Sequence, residues 1–522
     1  MLTSKPKKIN DIITPIFTIV AIYCVVFTIV SYCTNRSLRL DEAMFAQTIL
    51  TRDFGGILAG NFDYGQSGSL GYILIVKMLT LAFGGNEYVL RFISLLSYFL
   101  SIILGMKLLR DVFDVKYSSV AFLFMAGCAP FVKYAVDFKP YSLDVALSFF
   151  SILLYYRFFS KKMSFLTLIV IYSVLIWFSF GNIFVIAGIS IYHVINKTYT
   201  ALKNKDNPYG LFLSFWPFLL LLVSVGLDYF FWVKPTSDAV TSEALEYWRF
   251  LSFPLIPKSL SDLGLMSKMF NNFCIETLPS HSITFFLLLF LLGMVLNRKK
   301  AISSIFLITL LVVICVSYTG MYPIDLRLQL FLFGIYIVII VSAFEYIIRK
   351  IVVNRYGLIF ISILFIQPSL AVTRHNIFND FEYYMSDEEC RMVIEYYNQI
   401  KRDSDVLYVH SIAKAQCSYY QNYPIVFKNF NDDLIEKDHV IWGSKYRIMK
   451  NERPYEYNYV RDNDKFLENI KTILRYNKVY LIRVHSEGVV FDWLLEELEK
   501  YGDVTIEYDF CSSILYKFEK RY

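Results

Sequence analysis

The chain has 522 residues, of which 56% are hydrophobic and 18% aromatic, and its mean hydropathy is +0.46. A soluble core cannot absorb that much apolar surface, so the composition excludes an ordinary globular protein and points to a polytopic membrane protein. The formal net charge of +6 does not speak for nucleic acid, because the basic residues cluster at the ends of apolar runs.

A bilayer core of roughly 30 Å takes about 20 apolar residues per helix, with a range of about 17 to 25. On that measure the sequence predicts about eleven spans, near residues 12–32, 88–106, 117–132, 141–159, 164–180, 183–195, 211–233, 283–296, 301–318, 328–347 and 356–372. The runs at 183–195 and 283–296 are short. The first run is longer than a signal-peptide core and no small-x-small cleavage site follows it, so it reads as a retained span. Lys and Arg near span ends mark the cytoplasmic side. They fall in alternate loops: Lys5, Lys7 and Lys8; Lys107, Arg110 and Lys116; Arg157, Lys161 and Lys162; Lys197, Lys203 and Lys205; Arg298, Lys299 and Lys300; Arg349, Lys350 and Arg355. The N-terminus is therefore expected in the cytoplasm. An odd number of spans puts the C-terminal part outside, and the short outer connections fit a bacterial inner (plasma) membrane.

Residues 70–83 are apolar, but the run is too short to span comfortably and carries Lys77 near its centre. A run of this kind lies in the interface more often than it crosses. Counting it as a span would reverse every later loop, so it is expected to be a juxtamembrane helix inside a long outer loop, 33–87. From about residue 373 the apolar runs stop. Strand-like segments at 405–410, 423–427, 478–484, 504–510 and 513–518 alternate with helix-like ones at 387–401, 462–476 and 488–501. The expected fold class is thus an α-helical polytopic membrane domain, residues 1–372, followed by a soluble extracytoplasmic α/β domain, 373–522. No glycine-rich phosphate loop follows any strand of that second domain. The eight cysteines are scattered without a Cys-x-x-Cys pair, which gives no sign of a metal site.

This topology gathers four charged groups on the outer face. They are Asp41-Glu42 at a helix start; Lys133 to Tyr141, which includes Asp137, Lys139 and Pro140; Tyr322 to Arg327; and the loop 234–282 with Lys234, Arg249, Lys258 and Lys268. A carboxylate there can take a proton from an attacking hydroxyl, while Lys and Arg hold a leaving phosphate. That chemistry suits transfer from a phosphate-linked donor in the membrane, since nucleotide sugars stay in the cytoplasm. Each group alone has a plainer reading. An acidic pair outside a span is usually a helix start, Lys139-Pro140 is an ordinary first turn, and Arg327 can pair with Asp325 or lipid phosphate.

Together the motifs resemble the GT-C glycosyltransferases, in particular bacterial relatives of the protein O-mannosyltransferases and of the aminoarabinose transferase that modifies lipid A (glycosyltransferase family 39-like). The residues that carry the resemblance are Ser37-Leu-Arg-Leu-Asp41-Glu42-Ala43, Ser69-Leu70-Gly71-Tyr72 running on to Lys77, Phe83-Gly84 to Arg91, Pro130-Phe131 through Asp137-Phe-Lys139-Pro140-Tyr141, and Tyr322-Pro323 through Arg327. Gly68-Ser69 stands where that group has a Pro pair, and Lys139 where it has Arg. The resemblance implies a hexosyl or pentosyl transferase that moves a sugar from a polyprenyl-phosphate-linked donor to an extracytoplasmic glycan, lipid or protein, with inversion. Asp41 would be the general base, Glu42 would position it, and Asp137 would be a second carboxylate of the cavity. Lys139, Tyr141, Arg327, Tyr72 and Lys77 would face the donor phosphate or substrate. A divalent cation is possible at the carboxylates, although Lys and Arg can do the same electrostatic work. The alternatives are a transporter or flippase, which should carry charge within its spans, and a polysaccharide polymerase or ligase, which normally has its main outer loop late in the chain.

Overall fold

The structure is a computed structural model. It describes residues 5–60, 62–113, 118–205, 207–238, 257, 259–264, 266–267, 291–295, 300–325, 327–350, 388–421, 433–453, 456–484 and 488–521. The membrane part consists of α1 (Lys5–Cys33), α2 (Leu40–Thr51), α3 (Phe54–Leu58), α4 (Leu70–Phe83), α5 (Glu87–Phe113), α6 (Ser118–Gly127), α7 (Ala129–Ala135), α8 (Tyr141–Phe159), α9 (Phe165–Leu175), α10 (Phe180–Asn204), α11 (Pro208–Leu213), α12 (Phe218–Asp228), α13 (Lys234–Asp238), α14 (Lys300–Tyr318) and α15 (Leu330–Lys350). Five described segments are long and apolar enough to cross a bilayer: Pro15–Cys33, Glu87–Val112, Tyr141–Phe159, Phe218–Asp238 and Ala301–Tyr318. The expected span at 117–132 is two helices, broken at Cys128 where Pro130 opens α7. Expected spans 356–372 and most of 283–296 lie outside the described residues, as does the expected domain boundary.

Most of the long helices share an apolar core. Phe149 and Val145 of α8, Ile189 of α10, Val313 of α14 and Ile335 and Ile339 of α15 are buried together. Outward-facing Ile19, Leu222, Phe230 and Leu311 stay exposed, as helices need when their solvent is hydrocarbon.

Helix α4 packs against α2, α5 and the turn at 176–178. At its start Ser69 donates to the carbonyl of Phe178, 2.7 Å away, and a Cβ at Gly71 would overlap the Phe178 ring. Beyond its far end, the carbonyl of Gly85 accepts from Tyr419 of the C-terminal domain at 2.8 Å. Both ends are therefore fixed to the face that carries α2, and Gly84 ends the helix at a φ of 87° that favours glycine.

The C-terminal part contains α16 (Cys390–Ile400), β1 (Val406–Val409), α17 (Lys414–Tyr420), β2 (Ile435–Lys437), β3 (Val440–Trp442), β4 (Arg447–Arg453), β5 (Glu456–Arg461), α18 (Asn463–Ile473), β6 (Lys478–Arg483), α19 (Gly488–Leu498), β7 (Gly502–Phe510) and β8 (Ser513–Lys520). Its six-stranded sheet runs in the order β2-β3-β1-β6-β8-β7, and β4 and β5 form a separate hairpin. The centre β3-β1-β6 is parallel and the flanking pairs are antiparallel. The expected strands at 405–410, 478–484, 504–510 and 513–518 are present, while 423–427 lies outside the described residues. β2, β3, β4 and β5 were not expected. Three residues are too few to show alternation, and Arg447–Arg453 is mostly charged or polar.

The placement of α4 predicts that cysteines introduced by Ser67→Cys and Asn86→Cys share one face with Arg521→Cys. In a background freed of exposed native cysteines, a membrane-impermeant maleimide should label all three from the same side and Lys161→Cys from the other. Opposite labelling of 67 and 86 would make α4 a span.

Candidate active site

Leu40 opens α2, with Asp41 and Glu42 in its first turn, where the helix dipole favours negative charge. One helical step of about 100° separates the two side chains, and their surroundings differ accordingly. The Glu42 side chain is 1% exposed and that of Asp41 is 39% exposed.

Glu42 is the centre of a buried ionic knot. It accepts from Arg36 Nη1 at 2.8 Å, from Arg91 Nε at 3.1 Å and Nη2 at 2.9 Å, and from the backbone N–H of Arg39 at 3.0 Å. The backbone N–H of Phe138 donates to it as well. Burial alone would push the Glu42 carboxyl upward, but Arg36, Arg91 and these donors hold it well below the usual carboxylate range. Arg36 also pairs with Asp137. Arg91 reaches the carbonyls of Arg36 at 2.8 Å and Ser37 at 3.1 Å. Burial works against the Arg36 charge, yet Glu42 and Asp137 more than reverse that and keep its pKa raised. The knot ties together the segment before α2, the start of α5 and the corner between α7 and α8.

Asp41 faces the other way, toward cations. Its Oδ2 lies 3.3 Å from Lys139 Nζ and 3.5 Å from Arg327 Nη1. Lys139 Nζ also donates to the Asp41 carbonyl and to Gln66 Oε1, both at 3.1 Å, and sits 5.4 Å from the centre of the Phe45 ring. Arg327 Nε is 3.4 Å from Asp325 Oδ2. Burial raises the Asp41 pKa, but Lys139 and then Arg327 outweigh it and leave the group below its ordinary 3.8. Beneath these groups Phe45 stacks on Tyr72 at 6.3 Å and packs on Phe138 at 5.1 Å, which fixes the floor under Lys139.

The structure thus brings Asp41, Lys139 and Arg327 together, while Tyr141 is buried edge-on to Tyr134, ring centres 5.2 Å apart. Asp137 stands behind them, paired with Arg36 and lying 3.6 Å from Arg39. Tyr72 is wholly buried in the aromatic floor. Lys77 is held at the far end of α2, where its ammonium donates to the carbonyls of Ile49 at 2.8 Å and Leu50 at 3.5 Å. Helix-end carbonyls lack intrahelical partners, so a buried ammonium is well satisfied there, and the structure does not bring Lys77 to Asp41. Arg249, Lys258 and Lys268 lie outside the described residues. Among the described residues no group of three or more His, Cys, Asp and Glu side chains is placed to hold a metal ion.

Sequence reasoning did not select Arg36, Arg39 or Gln66, nor assign a role to Arg91; Asp325 was named as a pairing partner of Arg327, and the structure shows that pair. Arg36 and Arg39 flank the acidic pair in sequence, a local density of charge that was readable. Gln66 and Arg91 meet the site only through folding. A cavity of about 590 Å³ opens on the other flank of α2, between Gln47, Thr51, Asn86, Arg391, Tyr419 and Tyr420.

No family model matches the chain, and no curated protein matches it in sequence. Solved structures similar to it include ArnT from Cupriavidus metallidurans in the apo state, at 12% identity and TM-score 0.49, covering 95% of this chain and 97% of that one. ArnT of the same organism bound to undecaprenyl phosphate gives 9% identity and TM-score 0.47 over the same shares. The archaeal oligosaccharyltransferase AglB from Archaeoglobus fulgidus, in complex with an inhibitory peptide and a dolichol-phosphate, gives 12% identity and TM-score 0.43, covering 95% of this chain and 74% of that one.

Removing Glu42 leaves Arg36 and Arg91 buried without their shared carboxylate. Breaking a buried ion pair from one side costs about 3–5 kcal/mol. Thermal unfolding in detergent should therefore show Glu42→Ala strongly destabilised, with Glu42→Gln in between because it retains an acceptor oxygen.

Proposed function

We propose that the chain is an integral-membrane glycosyltransferase that moves a sugar from a polyprenyl-phosphate-linked donor to an extracytoplasmic glycan, lipid or protein acceptor. The observation that carries this reading is Asp41, a solvent-reaching carboxylate with Lys139 and Arg327 on one of its oxygens, on the membrane face where α4 lies. It pairs a base for a hydroxyl with cations for a phosphate. The orientation of this face toward the outside rests on the distribution of Lys and Arg.

In the proposed reaction the acceptor hydroxyl oxygen attacks the anomeric carbon from the face opposite the phosphate. The new carbon–oxygen bond forms as the bond to the phosphate oxygen breaks, so the sugar is inverted. The hydroxyl proton goes to Asp41, and the bonding electrons leave with the polyprenyl phosphate. Lys139 and Arg327 neutralise the charge that grows on that leaving oxygen. Their pairing with Asp41 describes the site before donor arrives. A donor phosphate competes for both cations, and as they turn to it Asp41 loses what holds its pKa down and becomes a stronger base.

The test is transfer of radiolabelled sugar from polyprenyl-phosphate-linked donors to endogenous acceptors in membranes. Asp41→Asn at matched expression should lose about 10²- to 10⁴-fold in rate; equal transfer by the two proteins would reduce Asp41 to a helix start. Lys139→Met and Arg327→Met should each lower kcat and weaken donor binding. The pH profiles carry a sign. The acid limb of kcat/KM reports free enzyme, whose Asp41 is ionised down to below 3.8. The limb of kcat reports the donor complex and should lie at higher pH. Coincident limbs would contradict the competition for the cations.

A further inference from the structure

The strand of chain that delivers Asp41 is held from the other end of the sequence. Glu389 accepts from the Ser37 N–H at 3.1 Å and from the Ser37 hydroxyl at 2.7 Å. The Leu38 N–H donates to the Tyr420 hydroxyl at 2.6 Å, and the Leu38 carbonyl accepts from Gln416 at 3.2 Å. The Leu40 N–H donates to Glu388 Oε2 at 2.6 Å, and Gln416 steadies that same oxygen at 2.7 Å. Arg391 adds its backbone N–H to the Ser37 hydroxyl at 3.1 Å and its guanidinium to the Asn35 carbonyl and to Glu87. The holding residues form two prongs, 388–391 entering α16 and 416–420 in α17. The prongs pack on each other where Cys390 Sγ and Cys417 Sγ lie 3.6 Å apart.

This grip falls on a weak point of any helix. The first N–H groups of α2 have no intrahelical acceptor. Arg39 donates its N–H to Glu42 of the same helix, but Leu40, the residue next to Asp41, uses a carboxylate from the C-terminal domain. Glu388 is no ordinary surface acid: burial pushes its carboxyl up to about 7, with the Leu40 N–H, Arg39 and Gln416 pulling back and Asp41 adding to the rise. A free-standing cap would not warrant burying a carboxylate against the like charge of Asp41. Positioning the residue that follows gives that cost a use.

We propose that Glu388 and Glu389 are positioning residues for Asp41, so that the C-terminal domain is a working part of the active site and sets the turnover rate. The inference rests on the glycosyltransferase reading above. Misplacing a reacting group by about 1 Å costs on the order of 10²-fold, and the hydrogen bond at Leu40 holds the backbone immediately before Asp41.

The test uses the full chain in membranes or detergent. Glu388→Ala and Glu389→Ala should each lower kcat about 10- to 100-fold while the KM for the polyprenyl-phosphate donor stays within about twofold. Glu388→Gln keeps an oxygen that can accept from Leu40 and should retain most of the wild-type kcat. Arg521→Ala, which removes an exposed pair with Asp503, should change nothing. Unaltered kcat in the alanine variants overturns the proposal, as does a Glu388→Gln variant no better than Glu388→Ala. Amide hydrogen exchange decides the clamp apart from activity. Exchange at Ser37, Leu38 and Leu40 should speed up in the alanine variants while amides of β6 stay protected; unchanged exchange there overturns the clamp even if the rate falls. The wild-type chain failing to transfer label would sink the glycosyltransferase reading and leave the exchange result standing.

Discussion

The buried carboxylate of Glu42 is the interaction on which the rest of this face depends. Bringing a carboxylate out of water costs several kcal/mol even after relaxation, and one arginine seldom repays that. Here two guanidinium groups and two backbone N–H donors converge on it. Apart from Arg91 in α5, those donors come from non-helical chain, at residues 36 and 39 before α2 and at 138 before α8. The approach to α2, the first turns of α5 and the corner before α8 are each anchored to the same two oxygens. Once they are anchored, the position of Asp41 follows from the helix, that of Lys139 from the residue after Phe138, and the aromatic floor from the meeting of Phe45, Tyr72 and Phe138.

The membrane explains why the remaining contacts look as they do. In hydrocarbon the only satisfied backbone is helical or closed, so irregular chain is kept out of the bilayer core and must find partners at its surfaces. α4 does this by lying flat against α2, with Lys77 completing the last carbonyls of α2. The C-terminal domain does it from above, through Glu388, Glu389, Gln416 and Tyr420.

Much of the fold was legible because apolar length and basic loop ends are strong, local signals. The helix at Leu70–Phe83 was legible as one short apolar run. The helices of the C-terminal domain were visible as periodic apolar positions such as Phe491, Leu494 and Leu498, all buried in the structure. The acidic pair, Lys139 and Arg327 were legible as members of an ordered set of motifs, but their partners were not. Whether a lysine faces a substrate or caps a helix depends on which carbonyls folding brings near it, and the sequence around Lys77 does not name those of Ile49 and Leu50. The clamp at Ser37 to Leu40 was invisible for a related reason: hydrogen bonds to backbone across some 350 residues leave no pattern in either segment.

Asp41 and Glu42 show how neighbouring carboxylates are given separate duties. Both are depressed by cations, so charge alone does not distinguish them; what differs is whether the cations can leave. Arg36 and Arg91 are buried and committed through planar guanidinium groups that also bind backbone carbonyls, so Glu42 stays ionised and fixed. Lys139 is a point charge on a flexible stem, already divided between the Asp41 carbonyl, its carboxylate and Gln66, and turning from one oxygen to another asks little of an ammonium with three equivalent donors. Arginine at that position would grip Asp41 or a phosphate as a fork and would surrender either one less readily. Under the proposed reaction a lysine at 139 is therefore the better partner for a carboxylate that must be held low before the donor arrives and released when its phosphate takes the cations.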